Sequence, residues 1–365
     1  MNFASAASRI TSWFPGRSRE SNALVAIDVG VNAVRAIHVR RDGGDLVLDG
    51  FRLLRGAGSA SGQALEEALR EALGLRRGGE AVAISVNSPD AAIRRIELPT
   101  MSAKELRESL PWEARRHIAG LAEDAVLDAQ VLSPAGREIR SAQGPVAVVL
   151  VAFPRQLYES LQAALDRFGA DPLFIDVSPL AALNGLLRKG DFSDGPLALL
   201  DLGSGTGSFS IFSASDLLLF RDLGERATHM DQTLANHFTL DPAELEALKL
   251  SGKLPKGDTP SPAVVQRALA SIATELVEDV RSALLYLESR AGGALNHVYL
   301  SGANSSFLER CGIADSISAQ SGVTLERWNP LQAFRVGLVD EISLRAAASE
   351  LSALAGLAAR YFGGS

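Results

Sequence analysis

Two aspartates stand in matching settings. Leu24-Val25-Ala26-Ile27-Asp28-Val29-Gly30 is an apolar run ending in an acid and then a glycine, and Leu197-Ala198-Leu199-Leu200-Asp201-Leu202-Gly203 repeats it about half a chain later. Each is followed by a stretch that alternates apolar and polar residues, Val34 to Val39 in one case and Phe209 to Phe212 in the other. The pattern predicts two β-hairpins whose tips carry a carboxylate and a glycine-rich turn. One such tip is an ordinary turn, because Asp and Gly are common turn residues. Two of them meet the needs of a duplicated nucleotide-binding fold. Opposed turns can grip a polyphosphate through backbone N–H groups, while the two carboxylates hold a hydrated Mg²⁺.

Composition narrows the remaining chemistry. A chain of 365 residues with 47% hydrophobic residues is long for one core and suits two domains. The net charge of −7, with no Lys/Arg stripe interleaved with aromatics, argues against nucleic acid as a partner. Cys311 is the sole cysteine, so neither a disulfide framework nor a thiolate metal cluster can form within one chain. His38, His117, His229, His237 and His297 lack ligand spacing. The longest clean apolar run, Val146 to Phe153, is too short to span a bilayer. Residues 1–19 have no apolar core of a secretory signal, so the expected location is cytoplasmic. Within residues 1–22, Phe3, Ile10, Trp13 and Phe14 fit two readings, a short amphipathic membrane foot and a flexible leader.

The positioning elements follow from periodicity and punctuation. The first hairpin spans 24–39 and continues at 45–53 across Asp42-Gly43-Gly44. A helix over 62–75 and strands at 81–86 and 93–98 come next. Ser102, with Glu105 three residues on, is a capping box that opens a helix to His117, interrupted or restarted at Pro111. Strands at 125–132, 146–153 and 173–177 alternate with helices at 154–168 and 179–188. The turn-rich segment 189–196 marks the boundary between halves. Beyond it lie helices at 228–237 and 242–250, the latter capped by Asp241, and one long amphipathic helix at 263–289. A strand at 297–300 runs into Ser301-Gly302-Ala303-Asn304, and a strand at 323–326 and a helix at 346–361 close the chain. Strands alternating with helices in both halves predict an α/β fold with mixed sheets.

These residues resemble the actin-like ATPase superfamily of sugar kinases, Hsp70 and actin. Within it they resemble the PilM family of type IV pilus assembly, itself similar to the cell-division protein FtsA, over roughly 24–362. The runs that carry the resemblance are Arg94–Pro99 with Met101 to Leu106, Trp112-Glu113-Ala114, Asp128 to Leu132, Ile175 to Ala181, Glu246-Ala247-Leu248-Lys249 and Asn329-Pro330. The resemblance implies an actin-like ATPase fold, with two duplicated α/β halves around a nucleotide cleft and an FtsA-like inserted subdomain. It implies ATP with Mg²⁺ as cofactors. A first phosphate loop would supply Asp28, Gly30, Asn32 and Arg35, and a second would supply Asp201, Gly203, Ser204, Gly205 and Thr206. Gly224, Glu246, Lys249, Gly302, Ala303 and Asn304 would complete the nucleotide contacts, with Asp28 and Asp201 reaching the metal through water. Read without the family, Glu246 and Lys249 are an exposed i,i+3 ion pair worth about 0.3 kcal/mol.

The chain departs from the family pattern in places. Val31 and Ala33 replace serines, Arg35 replaces a lysine, Glu225 follows Gly224 where a second glycine is usual, and Ala303 replaces another glycine. Each change removes a hydroxyl, adds bulk or adds an anion near the expected phosphates. The implied division is a first subdomain of 23–87 and 146–192, an insertion of 88–145, a second subdomain of 193–236 and 294–365, and a further subdomain of 237–293. The implied function is a scaffold at the cytoplasmic face of the inner membrane, with at most slow ATPase activity. It would grip the cytoplasmic N-terminal tail of PilN between the first subdomain and the insertion, and so link the PilN–PilO complex to motor or platform proteins. Peripheral membrane contact and self-association accompany that reading. Two alternatives stand beside it: a sugar-kinase-like enzyme, for which no catalytic base is evident, and a type II secretion relative that has lost nucleotide binding.

Overall fold

The computed structural model describes residues 21–58, 62–132, 144–189, 195–213, 216–255, 257–291, 295 and 297–363. Most of the leader, most of the 189–196 linker and residues 133–143 of the insertion lie outside them. The strands are β1 (Ala23–Val29), β2 (Ala33–Asp42), β3 (Asp45–Arg55), β4 (Ala81–Val86), β5 (Ala92–Leu98), β6 (Val126–Leu132), β7 (Val146–Phe153), β8 (Phe174–Val177), β9 (Leu197–Leu202), β10 (Gly207–Phe212), β11 (Leu217–Asp222), β12 (His297–Ser301), β13 (Thr324–Arg327) and β14 (Arg335–Val336). The helices are α1 (Gly62–Leu73), α2 (Ala103–His117), α3 (Arg155–Arg167), α4 (Ser178–Lys189), α5 (Gly224–Phe238), α6 (Pro242–Ser251), α7 (Pro262–Ala268), α8 (Ala270–Ala291), α9 (Ser305–Arg310), α10 (Ile313–Ser321), α11 (Glu341–Ala346) and α12 (Ser352–Gly363).

The chain divides into two compact units. One holds Met1–Gly190, Ala214–Leu217 and Pro330–Ser365, and the other holds Asp191–Ser213 and Leu218–Asn329. The first unit is built on a sheet in the order β14-β3-β2-β1-β4-β8. β1 pairs antiparallel with β2 and parallel with β4. Buried on both faces, it needs the continuous apolar run seen in the sequence rather than an alternating one. The second unit is built on β11-β10-β9-β12-β13. There β9 pairs antiparallel with β10 and parallel with β12, which is the local topology of β1 over again. Its core runs without a break from β9, β10 and β12 into α5 to α8, so the residues divided at 237 and 293 share one interior.

The insertion is a separate layer within the first unit, with sheet order β5-β7-β6 and α2 packed on one face. The capping box at Ser102 and Glu105 forms as the sequence predicts. Pro111 does not interrupt α2. It lies on the exposed side, where the carbonyl that loses its helical donor can meet water. β7 is the central strand of this sheet, so 146–153 belongs with the insertion and not with the first subdomain.

A second correction concerns the C-terminus. The sequence division placed 294–365 in the second half, but Pro330–Ser365 lies in the first unit. β14 joins β3 in parallel register, and α12 buries Leu354, Leu357, Ala358 and Phe362 in the core beneath β1 and β2. Gly356 lets α12 sit directly on α4: an ideal Cβ there would lie 1.6 Å from the Ala181 carbonyl oxygen. The buried Arg360 donates to Asp176 at 2.8 Å and stacks its guanidinium over Phe174. Periodicity also misjudged two helices. The long 263–289 helix is two, α7 and α8, and the closing helix expected over 346–361 begins only at Ser352 as α12, after a short 3₁₀ turn at Ala348–Glu350. No helix among the described residues is long and apolar enough to cross a membrane.

Candidate functional site

The first hairpin tip closes through Gly30 N–H donating to the Ala33 carbonyl at 2.9 Å. Asn32 is exposed at the tip, and its carbonyl accepts from Gly56 N–H at 2.9 Å. Asp28, at the end of β1, is only 5% exposed. Across the sheet it faces Arg35 on β2 and Ser85 on β4. Its Oδ1 accepts from Ser85 Oγ at 2.8 Å and from Ser178 Oγ at 2.6 Å, and Arg35 Nη1 lies 3.4 Å from Oδ2. Asp28 is therefore the hub of a buried network.

Arg35 is committed on its other edge as well. Its Nε and Nη2 both donate to Glu350 Oε2, at 3.0 and 2.6 Å, and Arg55 Nη2 donates to Glu350 Oε1 at 2.8 Å. Gly30 makes room for this guanidinium, since a Cβ there would lie 2.7 Å from Arg35 Nη1. Burial by itself pushes the Glu350 carboxyl up, but the two guanidiniums more than offset it and hold the group below its ordinary value. A depressed carboxyl contributes stability above its unfolded value and loses that contribution as pH falls through the folded one. The first unit is thus expected to weaken as pH drops below the usual glutamate range, and Glu350→Gln should flatten that acid limb. Urea unfolding across pH 3–7 for both proteins checks this, and an unchanged limb in Glu350→Gln would refute it.

The second hairpin closes in the same way, with Gly203 N–H donating to the Thr206 carbonyl at 2.8 Å. Gly205 sits at φ +72°, in the left-handed region that favours glycine. Asp201 is half-buried between Ser208 on β10 and Ser301 on β12. Serine on the parallel neighbour thus recurs in both units, as Ser85 and Ser301. On the antiparallel neighbour, Arg35 in one unit is replaced by Ser208 in the other.

The turn after β12 locks onto this hairpin. Gly302, at φ +90°, comes so close to Leu202 that a Cβ would lie 2.4 Å from its carbonyl oxygen. Asn304 N–H donates to the Leu202 carbonyl at 3.0 Å, and its Nδ2 donates to the Gly203 carbonyl at 2.7 Å. Asn304 Oδ1 is left buried without a protein partner, an acceptor available to one further donor. Ala303 is half-buried beside it.

Glu246 and Lys249 are not the exposed pair that spacing alone allows. Lys249 is 3% exposed. Its Nζ lies 3.1 Å from both Asp231 oxygens, 3.2 Å from Ser204 Oγ and 3.6 Å from Glu246. Burial pushes the Asp231 carboxyl up, and the Lys249 ammonium offsets only part of that rise. Gly224 opens α5, but its N–H donates to Asp222 at 2.9 Å, so the chain's own acid covers that helix end.

The two hairpins fit a magnesium nucleotide unequally. The second combines a glycine turn in the left-handed region with an orphaned acceptor on Asn304 and fits phosphate and nucleoside groups there, although its Lys249 ammonium is itself paired with Asp231. The first, as it stands, does not, because the Asp28 and Arg35 charges are already spent on protein partners. Glu350, Arg55, Asp231 and Ser85 lie in no motif that spacing or composition marks. The nearest signal was Glu350 itself, an acid in the small and apolar run from Ala346 to Leu357.

The family comparison agrees with this architecture. The sequence profile of the type IV pilus assembly protein PilM matches residues 26–362. The fold is similar to that of the solved "PilM-PilN type IV pilus biogenesis complex", with a TM-score of 0.75 and 23% identity over 94% of this chain and 98% of that one. It is also similar to the ethanolamine utilization protein EutJ from Carboxydothermus hydrogenoformans, with a TM-score of 0.50 and 13% identity over 94% of this chain and 92% of that one. No curated protein matches the chain significantly. The fold is the actin-like ATPase fold, and the chain belongs to the PilM family of type IV pilus assembly proteins.

Proposed function

We infer that this chain is an actin-like scaffold of type IV pilus assembly that binds the cytoplasmic tail of PilN and a magnesium nucleotide, working at the cytoplasmic face of the inner membrane. The observation that carries the reading is the insertion. It is an ordered sheet and capped helix with a core of its own, set within a chain of this family over nearly its whole length. β5 and β6 are its outer strands, and an extended peptide can add to such an edge through main-chain hydrogen bonds while its alternate side chains enter pockets. The solved relative in complex with PilN supports the choice of peptide.

The nucleotide side of the reading rests on the second unit. When bound, ATP with Mg²⁺ supplies phosphate oxygens for the backbone N–H groups of the Gly203–Thr206 turn to hold, with Asp201 as the acid nearest that turn. Asn304 keeps the turn and the loop after β12 in one piece. A labelled peptide of the PilN tail, titrated into the full chain with and without Mg·ATP, tests the assignment. Saturable binding with a Kd of about 1–100 μM is expected, equivalent to roughly −8 to −5 kcal/mol. No binding up to about 1 mM under either condition would refute it.

A further inference from the structure

We propose that Glu350 is an internal counter-anion that holds Arg35 where a nucleotide phosphate would otherwise sit, so that nucleotide reaches the first hairpin only by displacing it. The inference rests on the nucleotide reading above, which stands on the second hairpin, and says what keeps nucleotide from the first.

Three observations converge on Arg35. Gly30 places the guanidinium directly against the turn, with 2.7 Å between an ideal Gly30 Cβ and Nη1. Glu350 occupies the Nε–Nη2 edge with one oxygen, the edge that an arginine offers to a phosphate or carboxylate. Glu350 itself is only 7% exposed and is shared with Arg55, so the carboxylate is held by two cations. A phosphate approaching the turn thus meets a guanidinium already neutralised by Glu350 on one side and Asp28 on the other. Unlike a surface ion pair, this one is sheltered from screening, so it competes with an incoming anion.

The contrast between the units supports the assignment. At the position equivalent to Arg35, the second unit carries Ser208, so no cation faces Asp201 across the antiparallel pair there. Glu350 also belongs to the segment that closes the first unit beside α12, so displacing it would loosen the turn at Ala348–Glu350.

The test compares Mg·ATP affinity in the full chain, by isothermal titration, for the wild type, Glu350→Gln and Arg55→Gln. Glu350→Gln keeps the side-chain volume and a carbonyl acceptor for Arg35 but removes the charge, and it should bind Mg·ATP at least about 10-fold tighter, a gain of about 1.4 kcal/mol. Arg55→Gln leaves Glu350 to Arg35 alone and should bind more weakly than the wild type or equally. Amide exchange across 29–36 provides the second readout, with added Mg·ATP protecting this segment more strongly in Glu350→Gln than in the wild type. Far-UV circular dichroism establishes that each variant is folded. Wild-type binding with no gain in Glu350→Gln would overturn the counter-anion while leaving the nucleotide reading intact. No binding by any of the three proteins would overturn both. Binding by Glu350→Gln alone would support the counter-anion in its strongest form.

Discussion

Gly356→Ala is expected to destabilise the first unit by about 3 kcal/mol or more, although it replaces a glycine within a helix. Helix propensity by itself gives the opposite sign, since Ala is favoured over Gly in a helix interior by about 1 kcal/mol. The deciding fact is the 1.6 Å between an ideal Cβ at this position and the Ala181 carbonyl oxygen, with Gly185 N at 3.2 Å. These are backbone atoms of α4, and no rotamer change moves them aside. The two helices must part, and the core they share with β1 and β2 opens with them. Urea unfolding followed by circular dichroism reads the effect. A stability equal to or above that of the wild type would show that α12 does not lie against α4 as described.

The second large effect is expected at Lys249. Lys249→Met keeps most of the stem but leaves Asp231 without the ammonium now 3.1 Å from both its oxygens. Breaking a buried pair by removing one partner costs about 3–5 kcal/mol when the other stays charged. Asp231 has an escape, because burial already pushes its carboxyl up and the loss of Lys249 pushes it further. A carboxyl raised in the folded state binds a proton more readily there than in the unfolded chain, so folding gains as pH falls through the raised value. The loss in Lys249→Met should therefore be about 3 kcal/mol near pH 8 and clearly smaller near pH 5. Ser204 also loses its ammonium partner, so the second hairpin should lose protection from amide exchange across 203–206. Equal losses at the two pH values would show that Asp231 does not respond to Lys249.

Much of the fold was legible because it is local. The apolar runs ending in Asp28 and Asp201 specify buried central strands, and the turns after them specify hairpins. The capping box at Ser102–Glu105 and the Asp241 cap are encoded within a few residues and form as written, the latter completed by Glu244 into a second box. Strand order around β1 and β9 follows from the repeat, because two similar sequences meet similar packing constraints.

What the sequence could not decide is which distant groups meet. Arg35 reads as a phosphate ligand until Glu350, far along the chain, arrives beside it. Lys249 reads as half of a surface pair until α5 brings Asp231 against it. The closing helix reads as part of the second half until Gly356 and Arg360 seat it on α4 and β8. The physical reason is the same in each case. A charge's partner and a helix's neighbour are set by the core that carries them together, and burial then turns a weak surface interaction into one strong enough to fix the role of the residue. Sequence alone therefore determined the duplicated hairpins and the family, while the tertiary structure decided that Arg35 is paired with Glu350 and Lys249 with Asp231.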